Sequence, residues 1–157
     1  MTAPPPAGED LRRWMAYLQS HRSVEASKAA LGARDRAYAR VAADGSITLE
    51  CVDGWRATTD GGAGRDLEVF VDPATTGEYR VEVGDDPARL RVVGDEVSGS
   101  ASFDVDAVGV RGFRFVKITP RGRGAVGVDA VFAPRGSTAG DASTAALIRQ
   151  VARRRDA

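Results

Sequence analysis

Few side chains in this sequence are of the types that catalysis needs. Its 157 residues include one cysteine, Cys51, and one histidine, His21, so a Cys–His nucleophile pair would require these two. Cys51 continues the alternation of Ile47 and Leu49, which is typical of a buried small residue. One Cys and one His do not make a zinc site of the usual composition, and no nucleophile-elbow motif is present. We therefore expect a protein that is not an enzyme.

Carboxylates in the turns are the candidate metal ligands. Asp60, Asp66 and Asp129 can converge with backbone carbonyls on a Ca²⁺ ion, which prefers hard oxygen ligands. No EF-hand spacing accompanies them, and the simpler interpretation is that they cap turns and solvate strand ends. We expect no cofactor, with a structural calcium ion as the alternative.

A second set of residues suits sugar binding. Trp55 lies in a polar loop, where its ring can stack on a sugar face, with Arg56 and Arg65 as hydrogen-bond donors. Alternatively, Trp55 covers the mouth of the core. Asp60 opens a Gly-rich turn that is not a phosphate loop, because no Lys-Ser/Thr pair follows it. The candidate ligand-binding residues are Trp55, Asp60 and Arg65.

Apolar stripes near both ends of the chain suit docking. Between Asp10 and Arg22, apolar residues recur at helical spacing and predict an amphipathic helix. A second helix is predicted over 142–157, with an Arg-rich end that is typical of a solvated helix C-terminus. The predicted docking residues are Leu11, Trp14, Leu18, Leu147 and Val151, whose apolar faces are expected to be buried against a neighbour or against the sandwich.

Composition excludes several classes of protein. Lys+Arg and Asp+Glu each number 22, so the formal net charge is zero, which argues against a dedicated nucleic-acid binder. No apolar run reaches the roughly 18 residues that a membrane span needs. The start of the sequence lacks the apolar region of a secretory signal, so we expect a cytoplasmic protein or a component of a particle or assembly.

The elements that must position these residues are strands. Short runs of alternating apolar residues, each bounded by Gly, Asp or Pro, recur between Ile47 and Phe132, most of them at a spacing of about 8–12 residues. This pattern predicts an all-β, antiparallel β-sandwich with short flanking N- and C-terminal helices. The predicted boundaries are 1–22 for an arm and helix, 23–134 for the sandwich, and 135–157 for a linker and basic helix.

The alternation also predicts which residues form the core of the sandwich. One face of each run is apolar, and that face is expected to be buried. The predicted core comprises Leu49, Cys51, Leu67, Val69, Val81, Val83, Phe103, Phe113, Phe115, Val128 and Phe132.

Four segments in order resemble the discoidin-like, galactose-binding-like jelly-roll modules of bacterial surface proteins. They are ALGARD at 30–35, DGSITLEC at 44–51, DGGAGRDLEVFVD at 60–72, and FDVDAVGVRGFRFVKI at 103–118 followed by GVDAVFA at 127–133. They are similar to the family's Ala-Leu-Gly-x-Pro-Asp, Gly-Gly-Ser-Ile-Thr-Leu-x-Phe, Asp-Gly-x-Gly-x-Asp-Phe-x-Val-Phe-Glu-Asn, and Phe-Asp-Leu-x-x-Val-Gly-Leu with Gly-x-Asp-Leu-Asp-Ala-Val. Arg34 replaces the Pro of the first motif, and the turn of the third is one residue longer. The resemblance implies a β-sandwich whose loops at one end bind a ligand, commonly carbohydrate, and it does not imply an enzyme.

Two hypotheses of function follow. The first is a non-enzymatic structural or protein–protein interaction subunit within an assembly, such as a phage particle, that docks on a protein partner or on further copies of itself. The alternative is a carbohydrate-binding module. The sequence favours the first, because sugar-binding relatives are mostly exported and no signal segment is recognised. Neither a membrane nor nucleic acid is expected as a partner.

Overall fold

The alternating runs of the sequence form strands. The computed structural model describes residues 11–52, 54–61 and 64–138, and these form eleven strands. The strands are β1 Tyr17–Glu25, β2 Ala39–Glu50, β3 Trp55–Thr58, β4 Leu67–Val71, β5 Tyr79–Gly84, β6 Arg91–Val97, β7 Ala101–Phe103, β8 Gly112–Phe113, β9 Phe115–Pro120, β10 Val126–Phe132 and β11 Gly136–Thr138. The only helical segments in the described residues are three single 3₁₀ turns, at Leu11–Arg13, Ser27–Ala30 and Val105–Val108. None of the helices described is long and apolar enough to cross a membrane.

The predicted N-terminal helix is wrong. Only Leu11–Arg13 is helical, and the chain then extends through Trp14 into β1. The N–H of Met15 donates to the Val131 carbonyl at 3.0 Å, and the N–H of Ala16 to the Glu50 carbonyl at 2.9 Å. A helix of about 13 residues is marginal by itself, so sheet partners that satisfy the same backbone groups decide the conformation. The predicted C-terminal helix lies outside the described residues.

β2 organises the sheet by changing its neighbour midway. Its first part pairs with β10, its second part pairs with β9, and β1 runs along both parts. The order of the larger sheet is β6-β5-β9-β2-β10-β4-β7, and all pairings are antiparallel. Between the two parts, Gly45 lies against the Arg22 carbonyl, where no Cβ would fit. The larger sheet thus folds over a single core, and a small sheet, β11-β3-β8, adds to it.

The core is the one that alternation predicts. All of the predicted core residues are buried except Phe132, which is half-buried and packs its ring on Trp14 with centroids 4.7 Å apart. Cys51 lies in this core, with its sulfur 3.8 Å from that of Met15. Burial raises the pKa of the Cys51 thiol to about 11, so the thiol stays protonated at neutral pH.

The sandwich extends beyond the predicted range of 23–134. β1 begins at Tyr17, and β11 ends at Thr138. Both strands pair within the sheets, β1 with β2 and β11 with β3. The segment assigned to an N-terminal arm and helix is therefore in part an edge of the sandwich.

Candidate functional site

Two loops meet at one end of the sandwich, the segment after β3 and the segment after β7. The Thr59 hydroxyl and the Gly61 N–H both donate to the carboxylate of Asp106, the latter at 2.9 Å. The N–H of Thr59 donates to the Arg111 carbonyl at 3.0 Å. These bonds join residues that are 45 to 52 positions apart in sequence into one surface, which we call the loop end.

A buried carboxylate holds the loop end together from below. Asp66 has no exposed surface, and it accepts hydrogen bonds from the N–H groups of Asp60, at 3.0 Å, and Val105, at 2.9 Å. The guanidinium of Arg135 donates to the same carboxylate at 2.6 Å. A buried charge is stable when it is paired and hydrogen-bonded in this way. Asp66 therefore sets the distance between the two loops.

The loop end carries a cavity of about 680 Å³ that is open to solvent. The residues that line it are Thr59, Asp60, Gly61, Asp106, Gly109 and Arg111. Gly109 has φ of +78°, a left-handed conformation that favours glycine and turns the chain toward Arg111. The Arg111 side chain is exposed, and within the described residues it makes no hydrogen bond or ion pair. The cavity thus combines carboxylate acceptors with an available guanidinium, groups that bind adjacent hydroxyls well.

The predicted calcium ligands are not brought together as a set. Asp60 and Asp66 lie close to Asp104 and Asp106, with one oxygen of each within 4.8 Å of the others. Asp129 lies elsewhere, where it accepts the N–H groups of residues 35 and 36 at 3.0 and 3.3 Å. Asp129 is therefore not part of this acidic group, and its hydrogen bonds agree with the favoured interpretation that it caps a turn.

The acidic cluster fits a cation only in part. Carboxylate oxygens suit Ca²⁺, but both oxygens of Asp66 already accept N–H donors. Desolvation, followed by the hydrogen bond and the negative charge of Asp66, raises the pKa of Asp104. The sequence analysis did not identify Asp104 and Asp106 as candidate metal ligands, although the FDVD motif contains both.

The other predicted ligand residues lie outside the cavity lining. Trp55 is only 6% exposed, and the Arg12 guanidinium lies 4.3 Å from the centre of its ring. This placement contradicts a stacking role and supports the alternative that Trp55 closes the core. Arg65 is exposed and pairs with Glu68 at 3.2 Å. Of the three predicted ligand residues, Asp60 alone lines the cavity.

The apolar stripe of the predicted N-terminal helix packs largely within the sandwich. Trp14 is 7% exposed and packs against Phe70 and Phe132. Leu18 is half-buried and packs against the core. Leu11 begins a 3₁₀ turn, but its side chain is not described, and Leu147 and Val151 lie outside the described residues. Of the two surfaces that this stripe was expected to meet, a neighbour or the sandwich, Trp14 therefore packs on the sandwich.

Comparisons with known proteins identify the fold of the chain. No protein-family model matches the sequence, and no curated protein matches it significantly. Among solved structures, the chain is similar to the CBM32 of AlyQ in complex with 4,5-unsaturated mannuronic acid, with a TM-score of 0.51, 14% identity, and coverage of 75% of this chain and 97% of the other. It is also similar to CpGH89CBM32-6 produced by Clostridium perfringens, with a TM-score of 0.51, 12% identity, and coverage of 81% and 95%. The chain therefore has the discoidin-like, galactose-binding-like jelly-roll fold of CBM32 modules, as its four motifs predicted.

Proposed function

We propose that this chain is a non-catalytic carbohydrate-binding module that binds a sugar in the loop-end cavity. The observation that supports it best is the polar cavity formed by the loops of residues 59–61 and 106–111 on this fold. Fold alone does not determine function, so the proposal depends on the chemistry of this cavity.

The cavity offers the hydrogen-bonding groups that a pyranose needs. Adjacent hydroxyls of a sugar donate to one carboxylate and accept from one guanidinium, in the manner of Asp60 and Arg111. Asp106 is held by Thr59 and Gly61, so its carboxylate keeps a fixed orientation at the cavity wall. Preorganisation of this kind lowers the entropy cost of binding.

The structure supports the interaction-subunit hypothesis less well than the carbohydrate-binding hypothesis. An N-terminal stripe that docks on a neighbour would favour an interaction subunit, and Trp14 packs within its own sandwich instead. Within the described residues, the exposed large hydrophobic side chain is Val92, at 41%. A single exposed valine is ordinary on a monomer surface.

A glycan array on the full chain, followed by calorimetric titration of any glycan that binds, tests the proposal. Arg111→Gln removes the available guanidinium, and we expect it to lower affinity at least about tenfold, or about 1.4 kcal/mol. The melting temperature should stay unchanged, because the exposed side chain makes no hydrogen bond or ion pair within the described residues.

Arg89→Gln is the matched control. Arg89 is also exposed, in the turn between β5 and β6, and it does not line the cavity. Its loss removes the same charge and should leave affinity unchanged. Absence of binding to any glycan, or equal effects of the two substitutions, would contradict the proposal.

A further inference from the structure

The start of β6 brings a further guanidinium to the edge of the loop-end cavity. Arg91 is the first residue of this strand and is exposed, and its Nη1 donates to the Val108 carbonyl at 2.9 Å. A Cβ placed on Gly109 would lie 3.4 Å from the same nitrogen. Because Gly109 lines the cavity, the Arg91 guanidinium lies at the margin of the cavity, although Arg91 is not itself a lining residue.

Arg91 differs from the other arginine that lies against this segment. A Cβ placed on Gly112 would collide with the guanidinium of Arg56, which pairs with Asp85 through two hydrogen bonds, at 2.9 and 2.6 Å. The bond to the Val108 carbonyl neutralises no charge, and within the described residues Arg91 has no carboxylate partner. A guanidinium carries several N–H donors in a planar fork, so those that the carbonyl does not use are available to a ligand.

The hydrogen bond to Val108 also fixes the position of these donors. A free arginine side chain has many rotamers, and ordering it on binding costs free energy. Here the backbone beside the cavity holds the guanidinium before a ligand arrives. Arg91 is therefore a preorganised donor, whereas the exposed side chain of Arg111 makes no hydrogen bond or ion pair within the part of the chain that the structure describes.

The size of the cavity also indicates a ligand larger than one sugar residue. Its volume of about 680 Å³ lies within the range of about 300–1,000 Å³ that is typical of pockets for drug-sized ligands. A disaccharide has the mass of such a ligand, whereas a single pyranose is smaller. A ligand that fills the cavity as far as Gly109 comes within reach of Arg91.

We propose that the loop end binds two consecutive residues of an oligosaccharide, and that Arg91 is the donor of the second subsite; this inference rests on the proposed function. The first sugar residue contacts Asp60 and Arg111, and hydroxyl oxygens of the next residue accept hydrogen bonds from Arg91 across Gly109. Neutral sugars suffice as ligands, because a guanidinium donates to hydroxyl oxygens as well as to anions.

The test compares one sugar residue with two, by NMR titration of the ¹⁵N-labelled full chain. The probes are the methyl glycosides of galactose, glucose and N-acetylglucosamine, each beside a neutral disaccharide: lactose, cellobiose and N,N′-diacetylchitobiose. For at least one pair, we expect the disaccharide to bind at least about tenfold more tightly, or about 1.4 kcal/mol. Amide shifts at residues 59–61 and 106–111 should accompany both ligands, and shifts at residues 90–92 only the disaccharide.

Variants distinguish a subsite from a structural role of Arg91. Arg91→Gln should reduce the gain from the second sugar residue to less than about threefold and leave the affinity for the methyl glycoside unchanged. Arg111→Gln should weaken both ligands by the same factor and so preserve the gain. Arg89→Gln is the matched control, because it removes an exposed cation near β6 that touches neither Gly109 nor the cavity lining, and it should change neither affinity.

The outcomes separate this inference from the proposed function. Equal affinity of the methyl glycoside and its disaccharide for the unmodified chain would overturn the second subsite and leave the sugar site at the loop end standing. Equal weakening of both ligands by Arg91→Gln would show that Arg91 only holds the loop, and equal losses for Arg91→Gln and Arg89→Gln would show a general effect of charge; either result overturns the inference. Absence of binding by every probe would contradict both proposals.

Discussion

Asp66 shows how a single buried carboxylate can shape a binding surface. It accepts N–H groups from both loops of the loop end and pairs with Arg135. We expect Asp66→Asn to lower the free energy of unfolding by about 3 kcal/mol, because the amide cannot replace a buried anion among N–H donors and leaves Arg135 without its partner. Urea unfolding followed by tryptophan fluorescence measures this change.

An exposed ion pair provides the control for Asp66. Asp85 pairs with Arg56 through two hydrogen bonds, at 2.9 and 2.6 Å, but both side chains are exposed by more than a third. Solvent screening makes such pairs weak, so Asp85→Asn should cost less than about 1 kcal/mol. Losses of equal size for the two substitutions would show that Asp66 is not the anchor of the loop end.

At the scale of elements, the segment before β1 belongs to the sandwich. Trp14 forms a bridge with Phe132, and its ring packs 6.0 Å from that of Phe70. Trp14→Ala should lower the free energy of unfolding by about 3–5 kcal/mol through lost apolar burial and a cavity. Chemical unfolding monitored by circular dichroism measures this, since far-UV signal does not depend on the deleted indole.

Val92→Ala is the control for the loss of stability expected of Trp14→Ala. Val92 lies on β6 and is 41% exposed, so its truncation should cost less than about 1 kcal/mol. A stability of Trp14→Ala equal to that of Val92→Ala, together with loss of self-association or partner binding, would restore the docking role that the sequence predicts for Trp14.

At the scale of the whole molecule, the strand pairings are distant in sequence. Val41 of β2 pairs with Val126 of β10, and Ile47 pairs with Ile118 of β9. Closing such long loops before contacts form makes folding slow, so refolding should take milliseconds to seconds. Stopped-flow dilution from urea, with the fluorescence of buried Trp14 and Trp55 as the signal, checks this. A refolding time of microseconds would contradict the topology.

Local periodicity alone predicted several of the strands and the facing of their residues. The alternation of Leu67, Val69 and Val71 coincides with β4, and the residues from Tyr79 to Val83 fall in β5 with the same faces buried. This succeeds because a strand's period of two is set by its own backbone, and burial of one face follows. The motifs also indicated the jelly roll, which the comparisons confirm as the fold.

Only the tertiary structure decided the N-terminal segment and the composition of the loop end. Trp14 and Leu18 lie at helical spacing, yet β2 offered Tyr17–Glu25 a partner for its backbone hydrogen bonds, and this outweighed a short and marginal helix. Asp60 was recognisable from its Gly-rich turn, whereas Asp106 joins it through a contact that spans 45 residues to Gly61. Period and turn chemistry are properties of a few neighbouring residues, so sequence expresses them directly. Which distant loops meet depends on how the whole sheet folds over its core.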